Sequence, residues 1–469
     1  MTFSSDYRKN RNDLKQALRI DASFDLICKD TTIGGKNACF FFVDGLTKDE
    51  VMQKLLSGFY TIQAQDMPDN ASDFSTKQLP YIEVDVVPNI DQTITSILSG
   101  MTALLIDGYD AAVCMDVRTY PARSVDQPEK EKVLRGSKDG FVETVVFNTA
   151  LIRRRIRDPH LTMEMMSVGD VSHTDVVLCY MEDAVDQKLL KYVRNKIQNL
   201  HVKSLSMNQT SLAECLYERK WYNPFPKYKY TERPDTSAAS ILEGSLVILV
   251  DTSPSAIILP TSIFGIMEEA DDYYLPPITG TYLRLARFLI STVTFFITPT
   301  ILLLTMYPEW IPEWLSFIEL QEYTNVPLMF QFLILEVAVD GLKLAAVNTP
   351  SMLSTPLSII AGLALGEYAV SSGWFNSEAL LYMAFVALSN YTQPSYELGY
   401  ALKFFRILTV ILTGFLGLLG LIAGTIILIT ALLLNRTLDG RRRYLYPLIP
   451  FDWKILKRQL LRLRRDENS

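Results

Sequence analysis

Three ionisable side chains interrupt one of the most apolar stretches of this chain. Glu336, Asp340 and Lys343 stand at i, i+4 and i+7 between Pro327 and Val347, so a helix over that stretch carries all three on one face. A charged group at the centre of a bilayer costs about 3 kcal/mol or more unless it is paired or hydrated. Such a helix could line a water-filled path, bury its charges within a bundle, or lie along the interface. Glu367 raises the same chemistry. It follows Gly366 at the end of an apolar run, where a carboxylate faces water, a cation path or a partner charge, or else sits at an interface. Asn390 and the turn Pro394-Ser395-Tyr396-Glu397 raise it more weakly.

Other chemistries find little support. Cys28, Cys39, Cys114, Cys179 and Cys215 are scattered, with no CxxC pair and no nearby histidine, which argues against a zinc site or a disulfide framework and fits a reducing compartment. His160, His173 and His201 lack metal-ligand spacing. Gly34-Gly35-Lys36 lacks the upstream glycine of a phosphate loop, and Asn37 replaces the hydroxyl that would reach magnesium. Asp251-Thr252-Ser253-Pro254 after a strand reads as an Asx turn in preference to a phosphate acceptor. No convergent nucleophile, base or metal constellation is present, so the expectation is no enzyme, no cofactor, no metal and no catalytic residue.

The elements that must position these groups follow from length and composition. The chain has 469 residues, 49% of them hydrophobic and 21% charged, with mean hydropathy +0.14. The charge is uneven. Residues 1–283 hold 30 Lys+Arg against 39 Asp+Glu, a net of −9, whereas residues 284–469 hold 15 against 13, a net of +2. A soluble acidic front and a membrane-embedded back are expected, which excludes a purely soluble, a disordered or a nucleic-acid-binding protein. Four stretches are long and uncharged enough to span: Phe288 to Tyr307, Leu344 to Gly366, Ala379 to Tyr396 and Ile407 to Asn435. The segment bearing Glu336 is a fifth, re-entrant or interfacial in the preferred reading; six crossings follow if it spans and the last stretch splits.

Orientation follows the distribution of Lys and Arg. The tail from Arg436 to Ser469 carries ten, and the connection from Pro308 to Val326 carries none but has four Glu. The tail and the large N-terminal region are therefore expected inside, with an even number of crossings. No signal peptide is expected, because the first 20 residues are charged.

In the front half, residues 38–46, 81–87, 101–107, 109–117, 176–180 and 245–251 read as strands, separated by helical stretches such as 48–60 and 186–200. Strands alternating with helices predict two α/β subdomains with mixed sheets. The expected organisation is a lead-in over 1–34, subdomains over 35–160 and 161–280, a transmembrane domain of four to six helices over 281–435, and a basic tail over 436–469. The run Arg153, Arg154, Arg155, Arg157 is the densest basic cluster outside the tail. It reads as an interdomain or intersubunit contact in preference to a lipid or nucleic-acid patch. Gly362xxxGly366 and Gly420xxxGly424 are spacings that let helices approach closely.

Several strings resemble a known family. Arg135-Gly136-Ser137-Lys138-Asp139-Gly140-Phe141-Val142-Glu143, the run Asn148 to Pro159, His173-Thr174-Asp175-Val176-Val177 and Pro394-Ser395-Tyr396-Glu397-Leu398 resemble the A subunits of bacterial spore germinant receptors. Arg118 to Arg123, Tyr396 to Lys403 and Tyr444 to Phe451 are most similar to the stage V sporulation protein AF branch. Receptor subunits usually carry Gly-Gln-Ala-Ala where this chain has Gly366-Glu367-Tyr368-Ala369.

The resemblance implies a multi-pass protein of the spore inner membrane, its N-terminal domain and tail on the core side. It implies a homo-oligomeric, pentameric channel for monovalent cations that amplifies germination. The implied partners are a small membrane protein, other germination proteins and membrane lipid, and nucleic acid is not among them. With that resemblance, Ser354, Ser358, Gly362, Gly366 and Glu367 become the pore-lining candidates. A non-conducting scaffold or a secondary transporter is the alternative.

Overall fold

The computed structural model describes residues 2–79, 81–119, 131–217, 220–320, 324–348, 362–438 and 440–462. They fall into two units, one comprising Met1–Glu218 with Tyr228–Pro260, the other Arg219–Lys227 with Thr261–Ser469. Residues 219–227 thus belong with the C-terminal unit, which begins at Thr261, about twenty residues before the boundary expected at 281.

The first unit is built twice from one plan. Its first half runs α1 (Tyr7–Leu18), β1 (Leu26–Ile33), β2 (Lys36–Val43), α2 (Asp49–Phe59), α3 (Ala71–Lys77), β3 (Val84–Val87), α4 (Ile90–Leu98), β4 (Thr102–Ile106) and β5 (Ala112–Met115). Its second half runs α5 (Val145–Arg155), β6 (Leu161–Val168), β7 (Thr174–Met181), α6 (Gln187–Gln198), α7 (Asn208–Leu216), β8 (Lys229–Thr231), α8 (Pro234–Leu242), β9 (Leu246–Val250) and β10 (Ala256–Leu259). The sheets have the orders β1-β2-β4-β5-β3 and β6-β7-β9-β10-β8, so each strand in one has its counterpart in the other.

Two expectations are corrected here. The sheets are antiparallel at every described pairing, not mixed. The physical reason is connection length: β1 and β2 are joined by Gly34-Gly35 alone, and a parallel pair needs a crossover of a dozen residues or more. Both glycines have positive φ, +53° and +77°, as a two-residue hairpin turn demands. The second correction concerns the lead-in. β1 starts at Leu26 and pairs along its length with β2, so it belongs to the sheet.

Arg153 closes the first unit. Its side chain is fully buried on α5, where Nε lies 2.7 Å from Asp25 Oδ2 and Nη2 3.1 Å from Oδ1. It also donates to Ser23 Oγ and to the carbonyls of Asp158 and Leu161. The segment before β1 is thereby tied to the start of β6, so Arg153 is spent within the chain. Arg155 is held by Asp139 and Ser137. Only Arg154 and Arg157 of the basic run are exposed.

The second unit is helical: α9 (Pro277–Met306), α10 (Leu328–Asn348), a π-helical turn over Leu363–Tyr368, α11 (Ser377–Tyr391), α12 (Tyr396–Leu416), α13 (Leu418–Leu434) and α14 (Trp453–Leu460). Two of these, α9 and α12, are long and apolar enough to cross a membrane by length and composition, and α13 is a shorter apolar helix. The stretch Ile407 to Asn435, expected as one span, is two helices. Gly417 adopts φ +54° between them, and the chain turns back on itself. A Cβ on Gly420 would strike the Leu412 carbonyl, and one on Gly424 the Thr409 side chain, so this glycine pair seats α13 on α12. The expected span Ala379 to Tyr396 is the 15-residue α11.

The fold makes Arg153 sensitive. Truncating one partner of a buried ion pair costs about 3–5 kcal/mol. Arg153→Met should therefore lower the urea midpoint at which buried Cys179 of β7 becomes alkylated in the full-length protein. Arg153→Lys should recover only part of it, because a lysine cannot bridge both Asp25 oxygens.

Candidate functional site

Four charged side chains meet between α10 and α12. Glu336 and Asp340 lie four residues apart on α10, and Lys403 and Arg406 three apart on α12, so each pair faces one way. Arg406 Nε and Nη2 approach Glu336 Oε1 at 2.8 and 2.5 Å, and Nη1 donates to the Thr294 carbonyl of α9 at 3.4 Å. Lys403 Nζ lies 3.3 Å from Glu336 Oε2 and donates to the Glu336 carbonyl at 3.2 Å. It also pairs with Asp340 Oδ2. Glu336, Lys403 and Arg406 are buried, while the Asp340 side chain is 30% exposed. Two anions and two cations balance, which is what a low-dielectric interior requires of charges.

The cluster joins α10, α12 and α9 at one level of the bundle. Asp340 Oδ1 is buried and makes no hydrogen bond among the described residues. Lys343 turns to aromatic faces instead, its Nζ 5.3 Å from the Tyr391 ring centre and 5.9 Å from that of Tyr400. Below the charges on α12, Thr409 and Thr413 satisfy their hydroxyls on carbonyls four residues earlier. A second polar knot sits near the start of α10. Gln331 Nε2 donates to Asn376 Oδ1 and to the Val326 carbonyl, both at 2.7 Å, and Asn376 N donates back to Gln331 Oε1 at 2.9 Å.

The expected trio therefore divides. Glu336 and Asp340 form the cluster and Lys343 stands beside it, whereas Lys403 and Arg406 were not anticipated. Their signal was present: a cationic pair at i, i+3 directly before an apolar run matches the anionic pair at i, i+4 in another.

The pore-lining candidates fare differently. Ser354 and Ser358 lie outside the described residues. Gly362 precedes the π-helical turn and Gly366 and Glu367 lie within it, a rare geometry that recurs at functional sites. Glu367 is exposed, and a Cβ at Gly362 or Gly366 would meet nothing within 4 Å. This small-xxx-small pair packs against no described part of its own chain. The α10 stripe of Val337, Gly341 and Leu344 is equally bare.

Two smaller groupings lie in the first unit. Cys28 and Cys39, distant in sequence, are diagonal neighbours on the β1–β2 hairpin with sulfurs 2.7 Å apart, and Asp30 lies beside them. Asp30 is clasped by Arg11 at 2.7 and 2.6 Å, so the grouping offers two thiols and a carboxylate already paired. The shared hydrogen bond holds Cys28 below the usual thiol range and raises Cys39. Asp251 accepts from Val145 N at 3.0 Å, which caps α5 and agrees with a structural role.

The charge cluster can be unbalanced one residue at a time. Lys403→Met strands Asp340 and should destabilise the second unit by about 3–5 kcal/mol. Adding Asp340→Leu removes the stranded charge and should recover most of the loss, read as thermal unfolding in detergent micelles.

Comparison with known proteins places the chain in a family. Residues 12–468 match the family described as Bacillus/Clostridium GerA spore germination protein. The chain is 36% identical over 455 residues to stage V sporulation protein AF of Bacillus subtilis (strain 168), covering 97% of this chain and 92% of that one. It is 30% identical over 359 residues to spore germination protein A1 of the same organism, covering 76% and 74%. Among solved structures it is similar to the N-terminal domain of the A subunit of the Bacillus megaterium spore germinant receptor GerK3. That match has 25% identity and a TM-score of 0.42, and it covers 55% of this chain and 96% of that one. The chain belongs to the GerA family of spore germination proteins.

Proposed function

We propose that this protein is the membrane subunit of a spore germination complex, a homo-oligomeric channel that releases monovalent cations and amplifies germination. The observation that carries the reading is the balanced cluster of Glu336, Asp340, Lys403 and Arg406 inside apolar helices. Well-packed apolar residues commonly serve stability as well as a buried ion pair does, so charges at such a place favour a conduction or coupling role. Membership of a spore germination family supports the setting.

In this reading the second unit is a multi-pass domain of the spore inner membrane, with the first unit and the basic tail on the core side. The helices α9, α10, the segment through Glu367, α11, α12 and α13 make six crossings, which returns both ends to one side. The cluster fixes α10 against α12 and α9. The uncovered Gly362, Gly366 and α10 stripe then face a neighbouring subunit, and rotation about an axis brings one Glu367 from each copy to a common lumen. A ring of five, a small membrane partner protein and further germination proteins complete the complex. Catalysis has no place in this reading.

A secondary transporter is favoured by one feature, the Asp340 oxygen that could take a proton or cation. It would show saturable, gradient-coupled uptake without unitary currents, and a non-conducting scaffold would show neither.

Reconstituted into potassium-loaded liposomes, the wild-type chain should release K⁺ faster than protein-free vesicles do. Glu367→Gln should shift K⁺ over Cl⁻ selectivity severalfold. Identical selectivity and conductance would remove Glu367 from the path, and no release by correctly inserted wild type would remove the channel.

A further inference from the structure

The polypeptide after α13 ends in a surface that the function above leaves unused. From Leu448 to Trp453 it exposes Leu448, Ile449, Phe451 and Trp453, the last two 67% and 64% accessible with their rings stacked 6.4 Å apart, while the one acid among them, Asp452, caps α14 by accepting from Ile455 N at 3.2 Å. Cations flank this apolar run on both sides. Arg442 and Arg443 precede it, and Lys454, Lys457 and Arg458 share the face of α14 away from the buried Leu456. None of these five side chains makes an ion pair among the described residues. An apolar run carrying aromatic rings beside unpaired cations is the composition of a segment lying in a membrane interface.

The depth at which α14 is held supports the same occupant. Arg284 Nη1 donates to the carbonyls of Arg458 and Gln459, both at 3.2 Å, and so caps the C-terminal end of α14. Arg462 N donates to Thr281 Oγ1 at 3.0 Å, and its Nη2 donates to the Tyr273 carbonyl at 2.7 Å. Arg284 is itself fixed by Glu268 and Asp272. It lies four residues before Phe288, where the charge-free part of α9 begins, a rise of about 6 Å along the helix. On the membrane reading of α9, this clamp sets the tail helix just outside the hydrocarbon edge, at headgroup level.

We propose that residues 442–458 form an interfacial anchor that binds the anionic headgroups of the bilayer α9 crosses, Phe451 and Trp453 entering beneath the headgroups while the five cations meet their charge. The proposal rests on the membrane reading of α9. Anionic lipid, not a second protein, is the occupant because the cations are numerous and unpaired and because the clamp sets them at the membrane surface.

The test uses the full-length chain in vesicles of phosphatidylcholine alone or mixed equally with phosphatidylglycerol. The fluorescence difference between wild type and Trp453→Phe reports Trp453, and brominated phosphatidylcholine quenches it by depth. Bromines near the headgroup end of the acyl chain should quench more than those near its middle. Phosphatidylglycerol should raise that quenching at least twofold, and 0.5 M KCl should reverse the rise. Lys454→Gln/Lys457→Gln/Arg458→Gln should abolish the rise while retaining quenching by the neutral lipid.

Quenching that ignores phosphatidylglycerol would overturn the anionic-lipid assignment. A Trp453 shielded from bromine in both vesicles would overturn the anchor and point to a second copy of the chain as the cover. Resistance to alkaline carbonate extraction reports the membrane reading separately. A chain that washes off refutes that reading, whereas one that is retained with Trp453 unquenched refutes only the anchor.

Discussion

Charge in a low-dielectric interior is the constraint around which the second unit is organised. Taking Glu336 and Arg406 out of water costs several kcal/mol per ion unless each finds a close partner of opposite sign and its remaining hydrogen bonds are met. Here Arg406 spends donors on Glu336 and on the Thr294 carbonyl, and Lys403 bridges Glu336 to Asp340. Satisfying those groups dictates much of the packing around them. α10 must present 336 and 340 together, α12 must present 403 and 406 together, and α9 must bring a backbone carbonyl to the same level. The glycines of α13 then allow a second apolar helix to close on α12 at backbone distance, beside Thr409. What this arrangement leaves bare, the α10 stripe and the turn around Glu367, is what an assembly would cover.

Less of the first unit was legible than its strong strands suggest. Runs such as Phe40-Phe41-Phe42 and Leu246–Val250 announce buried strands by composition alone. Pairing direction is not in composition. It is set by turn chemistry, and Gly34-Gly35-Lys36 has the composition of a damaged phosphate loop while its backbone makes a hairpin turn. The twofold repetition of the strand order was hidden because the two sheets share topology with little likeness of sequence, each strand needing only to be apolar and of the right length. Arg153 shows the same limit from another direction: a basic run looks like a surface until the burial of one member reveals a partner 128 residues away.

In the helical unit the sequence located the apolar stretches and the anomalous charges but not their partners. Glu336 and Asp340 stood out because they interrupt an apolar helix. Lys403 and Arg406 were passed over because they adjoin one, and a charge at the end of a span looks like a flank. The packing decides otherwise, since α12 begins at Tyr396 and buries both. The long final stretch was likewise read by length, while its division depends on one backbone angle at Gly417 that only glycine adopts freely.

The claim on which the account turns is that the pairing of Glu336 with Arg406, by fixing α10, controls conduction. A charge exchange tests it directly, with K⁺ release from liposomes compared for Glu336→Arg, Arg406→Glu and the double variant, all inserted to equal density. The account predicts that each single exchange abolishes release, because two like charges then face each other in the interior, and that the double exchange restores a substantial part of it. Singles that conduct like wild type, or a folded and inserted double variant no better than either single, would contradict it.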